Sequence, residues 1–436
     1  MSERPARIIY WYTISSLRSD ALAWEEGGEP LMPALAEFRT RAASFGRAYA
    51  ASSSSFISLA SSLTGLWPTR LGVRDCLLEV AGLGPVRAFG LDSGYATLPG
   101  ILSQSGFSTF SHPESIFPGP GDGLGRSFTH PGRLPESVPQ GGGLFIYHHA
   151  RGAEPPFSPT GLALESLGLA GDRERPWPLG PVGGEEGAVL TRLYRAALFD
   201  ADRAFARAMT ALTEAGLWDQ ALIAVTADRG QELLEHGGLQ EGAGLYEEWL
   251  RVPLLIKFPA EDPLSGCHGR SFEPRVRLLD LAPTLIHLAL GEEPGEMDGR
   301  SLVPVLGGEE TGDRDLIAFL SGLGAGERGP LILESLAVIK GRFKALAGRR
   351  PRDSQRPGEA AFGGGEEFKE LFDLAQDPAE TANLWAENKE RFEELLVLAA
   401  RASEVPGGGP GTEAREGPGE GEREALAEKL RSLGYL

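Results

Sequence analysis

The chain predicts an α/β fold: a mostly parallel sheet flanked by helices, followed by a small C-terminal antiparallel sheet. Two observations carry this. As far as Leu290, short apolar runs alternate with stretches of helical periodicity, the pattern of a parallel sheet covered on both faces. After Leu316 the pattern changes to closely spaced short runs, LIAFL, LILESLAVIKG, RFKALAG and ELFDLAQDP, which suit antiparallel neighbours.

The elements read in order as a strand at Ile8–Thr13, a helix at Pro33–Ala43, a Ser-rich segment at Ser52–Ser62 and a helix at Thr97–Ser105. A strand at Leu144–His148, a long helix at Val189–Ala215, strands at Leu222–Thr226 and Leu254–Lys257, and a helix at Leu279–Leu290 follow. In the long helix Leu193, Ala197, Ala201, Phe205, Ala208 and Leu212 recur at spacings of three and four, which makes one buried stripe. Residues Pro113–Gly143 and Gly152–Glu186, rich in Gly and Pro, read as long surface loops. Glu404–Gly421 has almost nothing to bury and reads as a linker, and the tail places Leu426, Leu430 and Leu433 on one helical face before Gly434. The expected organisation is a core domain over 1–312, a C-terminal α+β subdomain over 313–400, and a linker with a terminal helix over 401–436.

Composition narrows the function. The 436 residues carry a formal net charge of −19, which argues against nucleic-acid and anionic-membrane partners because phosphate surfaces are met by clustered Lys and Arg. No run approaches the roughly 18 apolar residues of a membrane span. The N-terminal apolar stretch reads as a strand and not as a leader. Cys76 and Cys267 are the only cysteines, which suggests no disulfide framework and a cytoplasmic location.

The most informative segment is ALIAVTADRGQELLEHGGLQEGAGLYEEWLRVPLLIKFP, Ala221–Pro259. Leu222–Val225 can be buried on both faces, and ligands gather beyond the carboxyl ends of such strands, where Asp228 and Arg229 stand. The segment resembles the sulfatase family of the alkaline phosphatase-like superfamily, whose pattern is an apolar strand, Asp-His-Gly-Glu, then Glu-His-Gly and Tyr-Glu-Glu…Arg-Val-Pro. Here Arg229 replaces the His and Gln231 the Glu. Ala36–Asp75 is similar to the family's nucleophile region, LLDLAPTLIHLALGEEPGEMDGRSLVPVL to its helix and following turn, and IKGRFKAL, ELFDLAQDPAETANL and LRSLGYL to its C-terminal part. The resemblance therefore covers most of the chain.

The resemblance implies hydrolysis of sulfate or phosphate-type esters by a formylglycine, Ser or Thr nucleophile beside a divalent metal held by hard oxygen ligands. In this chain Ser15 occupies a metal-binding Asp position and Ser16 the position after it, and among the matched ligand positions Asp228 alone keeps a carboxylate. Arg229 is a permanent cation that cannot ligate a metal. Ser55 falls at the nucleophile position but lacks the Pro and Arg of the family motif; four successive serines also suit a polar packing segment. Gly152, Ala153 and Glu154 replace Asp-Pro-His after His149, and Gln240-Glu241-Gly242-Ala243 replaces Gly-His-Gly-His.

Of the remaining candidates, His149 and His236 are acid or base positions or structural hydrogen-bonders, and His148, on the face opposite His149, reads as structural. Lys257 is an anion contact or a strand end. Glu247, Glu248, Arg251 and Pro253 read as fixing backbone. Arg229 either offers a fixed cation to a sulfate, phosphate or carboxylate, with Arg18 nearby, or pairs with Asp228 and fills the hole.

The favoured reading is a pseudoenzyme that keeps at most an anion-binding or interaction role, with a sulfated or phosphorylated small molecule as ligand and no cofactor. The alternatives are a divergent hydrolase using Ser55, with calcium or another divalent metal, and a structural or partner-binding protein.

Overall fold

The computed structural model describes residues 7–73, 90–114, 123–132, 142–169, 184–237, 244–326, 329–351 and 365–403, with short pieces at 78–80, 84–86 and 135. The main sheet consists of β1 (Ile8–Ile14), β2 (Ala43–Tyr49), β3 (Phe107–Pro113), β4 (Gly143–Ala150), β5 (Ala221–Thr226), β6 (Arg251–Lys257), β7 (Ser271–Phe272) and β8 (Val276–Arg277). Its order is β7-β2-β6-β5-β1-β4-β3, with β8 also on β2. β1 pairs in parallel with both β4 and β5, and β3 pairs in parallel with β4.

Both faces of this sheet are covered, which is why its central strands are continuous apolar runs. Tyr10, Tyr12, Ile14, Ile146 and Val225 pack on one face against Leu193, Ala197 and Phe205 of the long helix α5 (Gly184–Glu214). Trp11, Phe145, Leu222 and Ala224 pack on the other, with Ile57 and Leu285 of the helices Ser55–Thr64 (α2) and Leu281–Leu290 (α6). The stripe read from the sequence in α5 is buried, apart from the partly buried Ala208.

β9 (Leu316–Gly326), β10 (Gly329–Lys340), β11 (Phe343–Pro351) and β12 (Gly365–Asp373) form the expected antiparallel sheet, in sequential order. The C-terminal helix α7 (Lys389–Ser403) closes its apolar face with Phe392, Leu395 and Ala399.

Local details differ from the sequence reading or add to it. β6 runs antiparallel to both β5 and β2; the 24 residues between β5 and β6 return the chain to the edge of the sheet that it left, and carry only the short helix Glu247–Leu250 among the described residues. The segment after Pro33 ends its helix α1 (Pro33–Thr40) early and turns into strand β2, and β3 follows α3 (Leu98–Gln104) directly. The Ser-rich stretch becomes helix α2, buried throughout, whose hydroxyls bond back to backbone: Ser62 to Ser58 O at 2.8 Å and Thr64 to Ala60 O at 2.7 Å. The loop expected over Gly152–Glu186 contains helix α4 (Gly161–Ser166) and the start of α5. The linker and terminal helix expected over 404–436 lie outside the described residues.

Candidate functional site

Register brings the site together. Thr13 of β1 lies opposite both His149 of β4 and Thr226 of β5, so the turns that leave these strands emerge side by side at the carboxyl edge of the sheet. Ser15 and Ser16 follow β1, Glu154 follows β4, and Asp228 and Arg229 follow β5.

The crowding at this edge admits only glycine at two positions. A Cβ on Gly152 would lie 1.8 Å from Ser15 O, and one on Gly230 would lie 2.0 Å from Glu248 O. Ser16 sits in the left-handed region with φ 60°, which aims its amide at Asp228.

Asp228 is the hub. Its Oδ1 accepts the amides of Ser16 at 3.0 Å and Arg229 at 2.8 Å. Ser15 Oγ stands 2.9 Å from Asp228 Oδ2 and also contacts Glu154 Oε1, so this hydroxyl sits between two carboxylates. His149 Nε2 is 3.4 Å from Asp228 Oδ2. Burial alone would push the Asp228 carboxyl up, but His149, the Arg229 guanidinium and the Ser16 amide outweigh it and hold the group well below the usual carboxylate range.

Arg229 is 1% exposed. Its Nε donates to Ser55 Oγ at 3.2 Å, and its Nη1 to Gly230 O at 3.1 Å and Gln231 Oε1 at 3.3 Å. The guanidinium carbon lies 5.4 Å from the centre of the Trp249 ring, a cation–π distance. Ser55 begins α2 behind its N-cap Ser54, and Ser58 Oγ donates to Asp228 O at 2.5 Å, tying the helix to the turn. The nucleophile position and the buried cation are therefore in direct contact.

The oxygen cage implied for a divalent metal does not fit these residues. Ser15 and Ser16 offer neutral oxygens, Asp228 already accepts two amides and the Ser15 contact, and the neighbouring guanidinium opposes a second cation. His149, Glu154 and Asp228 do bring one ligand atom each within 4.8 Å of one another, a mixed set unlike the all-oxygen one expected.

The other expected residues lie elsewhere. The His236 ring is committed to Glu248 Oε1 at 2.7 Å and Glu380 O at 3.3 Å and stacks on Tyr246 with centroids 3.7 Å apart. Lys257 pairs in register with Ile223, five residues before Asp228, roughly 16 Å along the strand. Its Nζ donates to Trp218 O and, at 3.1 Å, to Ala221 O, at the amino end of β5. Arg18 reaches Gln231 O at 3.1 Å but is neutralised by Asp20 and Glu235. The Glu247 carboxylate accepts from the Tyr49 side chain at 2.7 Å, and Arg251 donates to the backbone Gly46 O at 2.7 Å. Gln240–Ala243 fall outside the described residues.

Sequence reasoning missed the shelf made by Trp249 and the role of Gln231 as a partner for Arg229. Glu154 was visible as a carboxylate gained at a family His position, but its contact with Ser15 follows from the turn that Gly152 permits.

Known proteins share parts of this sequence and its fold. The sulfatase family profile matches residues 161–292. A multifunctional alkaline phosphatase superfamily protein, PehA of Trinickia caryophylli, is 32% identical over 124 residues, 28% of this chain and 23% of its own length. An N-acetylglucosamine-6-O-sulfatase of Bacteroides thetaiotaomicron is 34% identical over 118 residues, 27% of this chain and 20% of its own length. The chain thus aligns with about a fifth to a quarter of these two relatives. Two solved structures share the fold more broadly. A protein in complex with its substrate D-glucosamine-2-N,6-O-disulfate superposes with TM-score 0.67 at 17% identity, over 92% of this chain and 98% of that one. A phosphonate monoester hydrolase of Agrobacterium radiobacter superposes with TM-score 0.65 at 18% identity, over 92% and 96%. A segment that matches the sulfatase family profile, residues 161–292, thus lies within a fold shared with solved structures of the alkaline phosphatase-like kind.

Proposed function

We propose that this protein is a non-hydrolytic sulfatase-family member, in which the buried Arg229 guanidinium has replaced the charge of a catalytic divalent metal. The observation that carries the reading is the 3.2 Å contact from Arg229 Nε to Ser55 Oγ at a residue 1% exposed. An unmodified Ser needs a base or a metal to become a nucleophile at neutral pH. Arg229 donates to Ser55 Oγ and cannot take its proton, and the His149 ring nitrogen nearest Asp228 faces that carboxylate at 3.4 Å.

On this reading no resident metal is needed, and the cation beside the first turn of α2 marks where an anionic group would be held. Both named relatives and the substrate-bound neighbour point to sulfated or phosphorylated small molecules as the ligand class, with glucosamine 6-sulfate as a suitable probe.

The test is a panel of aryl sulfate, phosphate and phosphonate esters with the purified chain, with and without added calcium, magnesium or manganese, beside Ser55→Ala. The expected result is no turnover above the Ser55→Ala background. Metal-dependent turnover abolished in Ser55→Ala would replace this reading with that of a divergent hydrolase. Calorimetry with glucosamine 6-sulfate, repeated on Arg229→Met, reads the ligand role: heat present in the parent and absent from a folded Arg229→Met supports it, and equal heats remove it.

A further inference from the structure

We propose that His112, Glu114 and His148 form a second site, for a borderline divalent transition metal of which zinc is the best fit. It lies on the opposite face of the sheet from Asp228. β3 and β4 are parallel neighbours with His112 directly opposite His148, so both imidazoles leave the same face, and Glu114, two residues beyond His112, joins them there. His149, adjacent to His148, turns to the other face and to Asp228.

The donor atoms already converge. His148 Nε2 is 3.1 Å from Glu114 Oε1, and His112 Nε2 is 3.9 Å from the same oxygen, with all three donors inside 4.8 Å. A tetrahedral ion with bonds of about 2.0–2.1 Å requires donors about 3.3 Å apart. Side-chain shifts of an ångström or less therefore suffice.

The outer partners are also in place. Tyr10 Oη lies 2.7 Å from His148 Nδ1, and a phenol that both donates and accepts can hold the tautomer that leaves Nε2 open. The second Glu114 oxygen accepts the Arg151 amide at 3.2 Å, which orients the carboxylate, and the Glu114 amide donates to His149 O at 2.8 Å, which anchors the backbone beneath it. Two imidazoles with one carboxylate select zinc, cobalt, nickel or copper over calcium and magnesium. The His148 side chain is 8% exposed, whereas those of His112 and Glu114 are 34% and 37% exposed. Three protein ligands, with His112 and Glu114 partly exposed, leave a fourth position for water, the form of an open site.

The experiment uses the metal-stripped full chain titrated with cobalt(II), followed by zinc competition. One equivalent of cobalt with the visible absorption of a four-coordinate ion, displaced by zinc, is expected. His112→Gln and Glu114→Gln, both at partly exposed positions, should each weaken binding by roughly tenfold or more, since even the outer partners of a metal ligand carry 10–100-fold. Glu154→Gln and Glu248→Gln serve as controls for the Asp228 and His236 clusters and should bind as the parent does.

Absence of cobalt binding, or binding that survives in both His112→Gln and Glu114→Gln, overturns the site. Binding lost only in Glu154→Gln also overturns it and counts against the metal-free reading of the Asp228 site. Failure of the His112 site alone leaves that reading untouched.

Discussion

At Arg229 a single side chain puts a buried guanidinium beside Asp228. Its guanidinium is held by Ser55, Gly230, Gln231 and the Trp249 ring, and its charge helps keep Asp228 ionised. Arg229→Met should cost about 3 kcal/mol in urea denaturation, because Asp228 stays buried with less compensating charge. Adding Asp228→Asn should recover part of that loss; a double variant as damaged as the sum of the singles would contradict the coupling. His236 makes a pH prediction. Burial would depress its pKa, but the hydrogen bond and charge of Glu248 raise it from 6.5 to about 9. A cation whose pKa is raised by folding contributes stability that is full below pH 6.5 and lost as pH rises through about 9. The melting temperature of the parent should therefore exceed that of Glu248→Gln most at pH 6, and the gap should shrink by pH 9.5. A gap unchanged with pH would remove the ion pair from the account.

Some elements are positioned by groups that belong to other elements. The N-terminus of α1 has no side-chain cap of its own; Asp202 of α5 accepts the amides of Ala34 at 3.0 Å and Leu35 at 2.8 Å instead. Asp202→Ala should cost about 1–2 kcal/mol, the range of a lost cap, read by denaturation. The turn after β4 depends on Gly152. Gly152→Ala should cost about 3 kcal/mol or more, because backbone rather than a movable side chain blocks the new methyl. Gly46→Ala, which meets nothing within 4 Å, should stay within about 0.5 kcal/mol. Similar losses for the two would mean that the Ser15–Gly152 contact is not what constrains the turn.

On the scale of the whole molecule, the two sheets are bound through a buried charged joint. Lys344 of β11 is fully buried between Glu380 at 2.8 Å and Glu247 at 3.2 Å, and Tyr246 Oη donates to Glu370 Oε2 at 2.8 Å. Lys344→Met leaves two acidic groups without their cation and should cost about 3–5 kcal/mol. It should also split the single unfolding transition expected of the parent, as followed by tryptophan fluorescence and circular dichroism together. Coincident transitions in the variant would show that apolar packing alone couples the sheets.

The alternation of strands and helices, the buried stripe of α5 and the C-terminal antiparallel sheet were legible in the sequence, because hydrophobic periodicity is written locally in each segment. So were the replacements at Ser15, Arg229 and Gln231, since a strand followed by a short motif keeps its spacing whatever surrounds it. The antiparallel direction of β6, the burial of Ser52–Thr64 and the position of Lys257 at the far end of the sheet were not legible, because each depends on which strands become neighbours. What the Arg229 side chain touches was decided only by the convergence of the turns after β1, β4 and β5 with α2 and Trp249. Those groups are far apart along the chain, and no local pattern records that they meet.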